Sequence, residues 1–373
     1  MHVHVAERYL ELQKSYRLFV HATSSNTRDH VSPFLPASQA RLQPQLEKPG
    51  DLRHVVANGD APPMSTRLYE HDIFLEHRTP EGHPERADRL RSLAIALQHP
   101  NFDKLDRKKA PQANEDAVLL AHPEEHLFSV MREIPEDDEI RQIEADTYVG
   151  PKSLQAALTG IGGAMAAVDD VFTGQADNVF VAARPPGHHA EKTKAMGFCL
   201  FNNAAIAARH AQQTYGVERV AIVDWDVHHG NGTQDIFWDD PSVLFCSTHQ
   251  MPLYPWTGAR DETGTKGNIV NAPLEANSAS EHFRDAFKTR VLPALENFRP
   301  DFLIISAGFD AHHRDPLAQI NLVGDDFDWA TGRLMEIAGK YSGNRLISLL
   351  EGGYDLEGLA ESAGLHICRL MKG

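Results

Sequence analysis

Histidine and aspartate gather at three places in this chain: Arg184-Pro-Pro-Gly-His-His189, Asp224-Trp-Asp-Val-His-His229 and Ala307-Gly-Phe-Asp310. Both residue types bind divalent metals and move protons. Asp226 and His228 stand two apart, and residues i and i+2 of an extended segment point the same way. Both can reach one ion, and Asp310 can supply a third ligand from another segment. Two carboxylates and one imidazole leave a position open for water and substrate, as in a catalytic zinc site. Ferrous iron suits the same donors. Zinc lowers the pKa of a bound water from ~15.7 to about 7 and polarises a carbonyl. Water then serves as the nucleophile, in keeping with the lack of a Gly-x-Ser-x-Gly elbow.

The groups that would move protons lie close by. His188 and His189 follow Pro185-Pro-Gly187, where the prolines fix φ and the glycine permits close approach. Adjacent imidazoles can divide the work, one accepting a proton and one setting the local charge. Each needs a partner to fix its tautomer; Asp224 is the candidate for His188 and Asn231 for His189. His229 reads as a structural neighbour. Tyr354 follows two glycines and can donate a hydrogen bond to a developing oxyanion.

These clusters need elements that bring them together. Apolar runs precede each one: Asn178–Ala183, Val220–Val223 and Phe302–Ser306. Such unbroken runs read as buried parallel strands. Val243–Cys246 leads into Ser247-Thr-His249, and Leu346–Leu350 into Glu351-Gly-Gly-Tyr354. In open α/β sheets ligands bind beyond the carboxyl ends of the strands, so five strand ends deliver polar groups to one rim. Helices are expected over Pro84–Leu97, Leu154–Phe172, Ala204–Tyr215, Glu281–Phe298 and Phe327–Lys340. Gly216 is placed to end one helix, and Asp325 or Asp326 to cap another. Gly160-Ile-Gly-Gly163 falls inside a helix, where it serves close packing rather than phosphate binding.

The 373 residues suit one large α/β domain or two smaller ones. A net charge of -16 argues against general nucleic-acid or anionic-membrane binding. The three cysteines, Cys199, Cys246 and Cys368, form no CxxC pair, which points to a reducing compartment, the cytoplasm, and away from a thiolate zinc site. No apolar run approaches a membrane span, and no signal-peptide core is legible. Residues 1–63 are rich in Ser, Gln, Pro and His and read as a loosely ordered extension. The globular pattern opens near Met64, a candidate natural start, so residues 64–373 are the expected catalytic domain.

The motifs RPPGHH, GFCLFNN (Gly197–Asn203), VDWDVHHGNGTQ (Val223–Gln234), AGFDAHHRDPL (Ala307–Leu317) and EGGYDL (Glu351–Leu356) resemble those of the zinc-dependent histone deacetylase superfamily. That group includes acetylpolyamine amidohydrolases and acetoin-utilisation proteins. His83-Pro-Glu-Arg86 and Asp146-Thr-Tyr-Val149 fit its early motifs, so the resemblance runs from about Leu68 to the C-terminus. It implies an arginase-like three-layer α/β fold with a mainly parallel eight-stranded sheet. It implies zinc on Asp226, His228 and Asp310, His189 as general base and acid, and His188 as its electrostatic partner, paired with Asp224. It implies Tyr354 as the carbonyl-polarising residue. It places the Gly197 carbonyl at the substrate amide, Phe198 and Tyr254 as tunnel walls, Leu317 near the mouth, Asp146 as a rim carboxylate for the substrate backbone, and Arg89 by the product acetate. It also implies structural potassium, at Asp224, Asp226, His228, Ser247 and Thr248, and again at Phe237, Asp240 and Val243. Asn231 departs from the Asp of class I members and matches class II-like and many bacterial ones; a neutral partner leaves His189 less basic. Trp256 stands where glycine is common, and its ring would reshape the tunnel rim.

The leading expectation is hydrolysis of an acetylated lysine side chain on a protein or peptide. An acetylated polyamine is the nearest rival, and the acidic Pro135-Glu-Asp-Asp-Glu139 before Asp146 is the feature that would serve it. A binuclear manganese ureohydrolase would need an Asp where Gly230 stands. A non-catalytic acyl-lysine binding module would lack a zinc ligand or Tyr354, and all are present. The sequence leaves the oligomeric state open, a homo-oligomer included.

Overall fold

A computed structural model describes residues Met64 to Gly373. The expected loose extension over residues 1–63 lies outside the described residues. In chain order the strands are β1 (Thr66–Glu70), β2 (Asp106–Lys109), β3 (Arg141–Gln142), β4 (Tyr148–Val149), β5 (Asn178–Val181), β6 (Val220–Asp224), β7 (Val243–Gln250), β8 (Ile269–Leu274), β9 (Phe302–Ala307) and β10 (Leu346–Leu350). The α-helices are α1 (Asp88–Ala96), α2 (Glu124–Glu133), α3 (Ser153–Thr173), α4 (Asn203–Tyr215), α5 (Asn231–Phe237), α6 (Ser280–Ala286), α7 (Leu292–Phe298), α8 (Gly324–Tyr341) and α9 (Leu356–Lys372).

Eight strands make one sheet in the order β2-β1-β5-β10-β9-β6-β7-β8. Every neighbouring pair is parallel; β3 and β4 form a separate antiparallel hairpin. Strands β5, β6, β7, β9 and β10 are buried at every residue. Helices flank the sheet, α3 packing on α4, and α9 on α8 and α1. With both faces covered, alternation disappears from the strand sequences and continuous apolar runs remain. A smaller apolar cluster, including Val118, Leu127, Val149, Leu158 and Leu200, sits apart from the main core. No helix among the described residues is long and apolar enough to cross a membrane.

Several expected boundaries shift for identifiable reasons. Strand β7 continues to Gln250, because its polar end Ser247–Gln250 is buried and paired with β8. The single helix expected over Glu281–Phe298 is interrupted by a π-helical turn at Phe287–Val291, ahead of Pro293 in the first turn of α7. Proline brings no N–H to the helical ladder, so the bonding pattern changes around it. Neither Asp325 nor Asp326 is the cap residue of α8; Val323 holds that position, and Asp326 Oδ2 accepts its N–H at 3.1 Å. Gly216 ends α4 in the left-handed conformation, as expected. Gly160 to Gly163 lie within α3, and a Cβ on Gly162 would collide with the backbone of Pro111.

Candidate active site

The five strands that end in the sequence clusters are consecutive in the sheet: β5, β10, β9, β6, β7. Their registers align Val181 with Leu349, Leu350 with Ala307, and Ser306 with Asp224. The segments leaving these strands therefore meet at one carboxyl-end rim.

Asp226 and His228 follow β6, and Asp310 follows β9. Their donor atoms all lie within 4.8 Å of one another, and all three residues are buried. His228 Nδ1 is 3.1 Å from both Asp226 Oδ1 and Asp310 Oδ2. The remaining carboxylate oxygens are engaged: Gly352 N–H donates to Asp226 Oδ2 at 2.8 Å, and Val227 N–H to Asp310 Oδ1 at 2.8 Å. Such bonds orient the ligand oxygens inward. Gly352 is essential to the approach, since a Cβ there would collide with carboxylate oxygens of both Asp310 and Asp226. Burial, with Asp226 beside it, pushes the Asp310 carboxyl up to about 7. Burial disfavours the His228 cation, but Asp226 and Asp310 outweigh it and raise the imidazole to about 10. Two buried carboxylates crowded on one imidazole are a donor set that a divalent cation neutralises, and zinc fits them.

His188 Nδ1 lies 2.9 Å from Asp224 Oδ2. Burial opposes its charge, yet Asp224, Asp226 and Glu351 together hold its pKa well above the ordinary value. His189 behaves oppositely: burial, then the neighbouring His188 and His228, hold it well below. Its Nδ1 is 2.8 Å from Asn231 Oδ1. Asn231 Nδ2 donates to Glu191 Oε1 at 2.7 Å, which turns the amide oxygen toward the histidine. His189 therefore carries its proton on Nδ1 and leaves Nε2 as an acceptor. The two rings are 3.9 Å apart. The loop is fixed from below by Glu351, whose Oε2 accepts from Gly187 N–H at 2.7 Å and His188 N–H at 3.1 Å. Burial, against the pull of His188, raises the Glu351 carboxyl to about 7. Arg184, at the start of the loop, forms a buried two-pronged ion pair with Glu85.

Tyr354 follows β10. Burial and then Asp310 hold its phenol well above the ordinary pKa, so it stays a hydrogen-bond donor. Asp315 ties it in place, with Oδ2 accepting Tyr354 N–H at 2.7 Å and Oδ1 accepting Leu317 N–H at 3.0 Å. Arg89 is fully buried; its guanidinium lies 5.0 Å from the centre of the Tyr354 ring and donates to Gly353 O, Glu351 O and Glu85. Gly197 sits at φ 57, and a Cβ there would run into the His189 ring. Asp146 Oδ1 accepts Gly197 N–H at 3.0 Å and the Thr147 hydroxyl at 2.8 Å. Phe198 stands edge-on to Tyr354 with centroids 5.8 Å apart, and Tyr254 edge-on to His189 at 5.3 Å. The Cys199 thiol lies 3.3 Å from the Gly197 carbonyl.

A buried polar network stands behind the rim loop that carries Tyr254 and Trp256. His229 bonds Thr257 Oγ1 at 2.8 Å and Gln234 Oε1 at 3.1 Å. Gln234 Nε2 donates to Glu262, which also accepts the N–H groups of Gly258 and Ala259. His229 is thus a strut of this loop. Trp256 adopts φ 68 and is 72% exposed at the loop's tip. A Cβ at Gly230 would collide with the Asp224 carboxylate, so no further carboxylate ligand can stand there. In the acidic stretch before Asp146, Asp138 pairs with Arg78.

Of the residues expected around potassium, Asp224 and Ser247 are register partners on β6 and β7. Thr248 Oγ1 is buried without a partner. The carbonyls of Phe237, Asp240 and Val243 do converge, and they converge on the side-chain amide of Asn268.

Sequence reasoning missed Glu351, Glu191, Asp315 and Glu262. Glu351 had a signal, a carboxylate directly after a wholly apolar strand, and Asp315 lies within the Ala307–Leu317 motif; Glu191 and Glu262 sit in polar loops with none.

Residues 83–370 match the histone deacetylase domain. A probable deacetylase of Archaeoglobus fulgidus is 36% identical over 316 residues, covering 83% of this chain and 87% of its own. A histone deacetylase-like amidohydrolase of Pseudomonas aeruginosa is 38% identical over 299 residues, 78% of this chain and 77% of its own. The crystal structure of the HDA15 HD domain superposes with a TM-score of 0.78 at 38% identity, covering 83% of this chain and 88% of that one. With an eight-stranded parallel sheet, a buried aspartate–histidine cluster at its rim and this kinship, the chain belongs to the histone deacetylase family of hydrolases.

Proposed function

We propose that residues 64–373 form a zinc-dependent amidohydrolase that removes acetyl groups from lysine side chains and releases acetate. The observation that supports it most is the neutral His189, its Nε2 left as an acceptor, beside the donors Asp226, His228 and Asp310. These three residues would hold the metal, which when bound polarises an amide carbonyl and acidifies water. His189 Nε2 takes the proton from the attacking water and returns it to the leaving lysine nitrogen. His188, kept cationic by Asp224, lowers the cost of negative charge next to it. The Tyr354 hydroxyl donates to the carbonyl oxygen as charge builds there. Phe198 and Tyr254 flank the acyl-lysine chain, the Gly197 carbonyl accepts its amide N–H, and Leu317 stands near the mouth. The Asp146 carboxylate takes the substrate backbone, and Arg89 lies beside the product acetate.

The same reading includes a potassium ion supported by Asp224, Asp226, His228, Ser247 and Thr248, for which the unpartnered Thr248 hydroxyl is the motivating feature. It places the protein in a reducing cytoplasm, in line with three unpaired thiols.

The test is kcat/KM of the zinc-loaded protein on an acetyl-lysine peptide and on acetylputrescine, side by side. Preference for the peptide is the expected result. Preference for the polyamine moves the function to small-molecule metabolism, and turnover of neither overturns the proposal.

A further inference from the structure

We infer that the side-chain amide of Asn268 takes the place of a cation in the carbonyl cradle formed by Phe237, Asp240 and Val243. The cradle is the turn that leaves α5 and enters β7. Its carbonyls point inward, and the turn's own amides satisfy only part of their capacity: Asp240 N–H reaches Phe237 O at 3.1 Å, and Val243 N–H reaches Asp240 O at 3.3 Å. A backbone carbonyl has two lone pairs. Three remaining acceptor sites therefore face one point, and an unfilled point of that kind is costly where Phe237, Val243 and Asn268 are buried beneath the turn.

Asn268 fills it. The residue is buried just ahead of β8, and its backbone carbonyl accepts Phe245 N–H at 2.9 Å, which fixes the residue against β7. Its Nδ2 lies 2.8 Å from Phe237 O and 3.0 Å from both Asp240 O and Val243 O. These are ordinary N–H···O lengths, ~2.7–3.2 Å. Its Oδ1 is buried without a partner, on the side where Gly264 has no side chain. The amide orientation follows from this asymmetry. Reversed, it would set a carbonyl oxygen against three others with no proton between them.

A hard cation binds at the point equidistant from its oxygens, at ~2.3–2.6 Å for calcium. Potassium is larger and needs the same central point, and Nδ2 already occupies it. The amide has two protons for three acceptors, so one is shared, and the sequence supplies by itself the positive partial charge that an ion would bring. The consequence is local independence from potassium. The turn after α5, the helix that opens with Asn231, is held by the chain, and any potassium requirement of the protein arises elsewhere.

Crystals of the wild-type full chain soaked in thallium(I), a potassium mimic with a strong anomalous signal, test this directly. No anomalous peak is expected between the three carbonyls; a peak there overturns the inference. In solution, melting temperatures are compared at fixed ionic strength with choline or potassium as the cation. Asn268→Ala opens the cradle, and Asn268→Asp replaces the donor with a carboxylate that faces three carbonyls. Each is expected to show a larger potassium-dependent rise in Tm than wild type, since an ion that binds only the native state stabilises it. Equal increments in wild type and both variants overturn the inference. If Asn268→Ala fails to fold, the wild-type map and Asn268→Asp still decide.

Discussion

In the proposed reaction much rests on the hydroxyl of Tyr354, whose backbone is fixed elsewhere. Its N–H is held by Asp315, its ring lies over Arg89, and its phenol is kept protonated by burial and by Asp310. Tyr354→Phe removes only the donor. Metal content is expected to stay at the wild-type level while kcat falls by at least ~10²-fold, the usual cost of one oxyanion donor. Near-wild-type kcat in metal-replete protein would remove Tyr354 from the mechanism. Asn231 illustrates the same dependence one residue further out: its amide can serve His189 in one orientation only, and Glu191 selects it.

At the scale of elements, the loop from Met251 to Glu262 joins β7 to the rim and carries Tyr254 and Trp256. Little apolar packing holds its tip, where Trp256 is largely exposed. Hydrogen bonds do the holding: the Glu262 carboxylate accepts Gly258, Ala259 and Gln234, and His249 Nε2 meets Gly258 O at 2.9 Å. Glu262→Ala releases the loop without touching the proposed metal ligands or His189. KM for the peptide is expected to rise while kcat stays within about 2-fold, the pattern of lost uniform binding. A fall in kcat at constant KM would place Glu262 in the chemistry instead.

Across the whole molecule, buried neutral histidines govern the response to acid. Burial lowers His366 and His122 to about 3, and His77 and His249 to about 4. Unfolded, each would titrate near ~6.5. Below that value the unfolded chain binds protons that the folded protein refuses, so stability falls with pH. The contribution is full above about 6.5 and is lost as pH drops toward the folded values. Glu351 acts in the opposite sense, because its raised pKa of about 7 lets the folded state take a proton first. His188, held above its ordinary value, acts in the same sense as Glu351, but the four imidazoles outweigh these two groups, and in the metal-loaded protein of the proposed function Asp310 would be held as a ligand. The urea midpoint of that protein is expected to fall between pH ~7 and ~5; a flat or rising midpoint would contradict this balance.

The sequence by itself determined what repeats locally. Asp226 and His228 were legible as a pair because strand geometry has a period of two, and the central strands were legible because a doubly covered sheet removes alternation. The motif residues His188, His189, Asp310 and Tyr354 were legible by type and by position after apolar runs. Charged β2 (Asp-Arg-Lys-Lys) carried no such signal, since it is a largely exposed edge strand held by pairing with β1 and by ion pairs such as Arg67–Asp106 and Lys109–Asp72. Asp224 and Asn231 were also legible as partners of His188 and His189; tertiary structure alone decided the other partners. Glu351 reaches Gly187 and His188 across more than 160 residues, Asp315 reaches Tyr354 across 39, and Asn268 meets three carbonyls 25 to 31 residues away. A polar side chain in a loop has many candidate partners in sequence. Only the closing of the sheet, which brings β5, β10, β9 and β6 side by side, leaves one within reach.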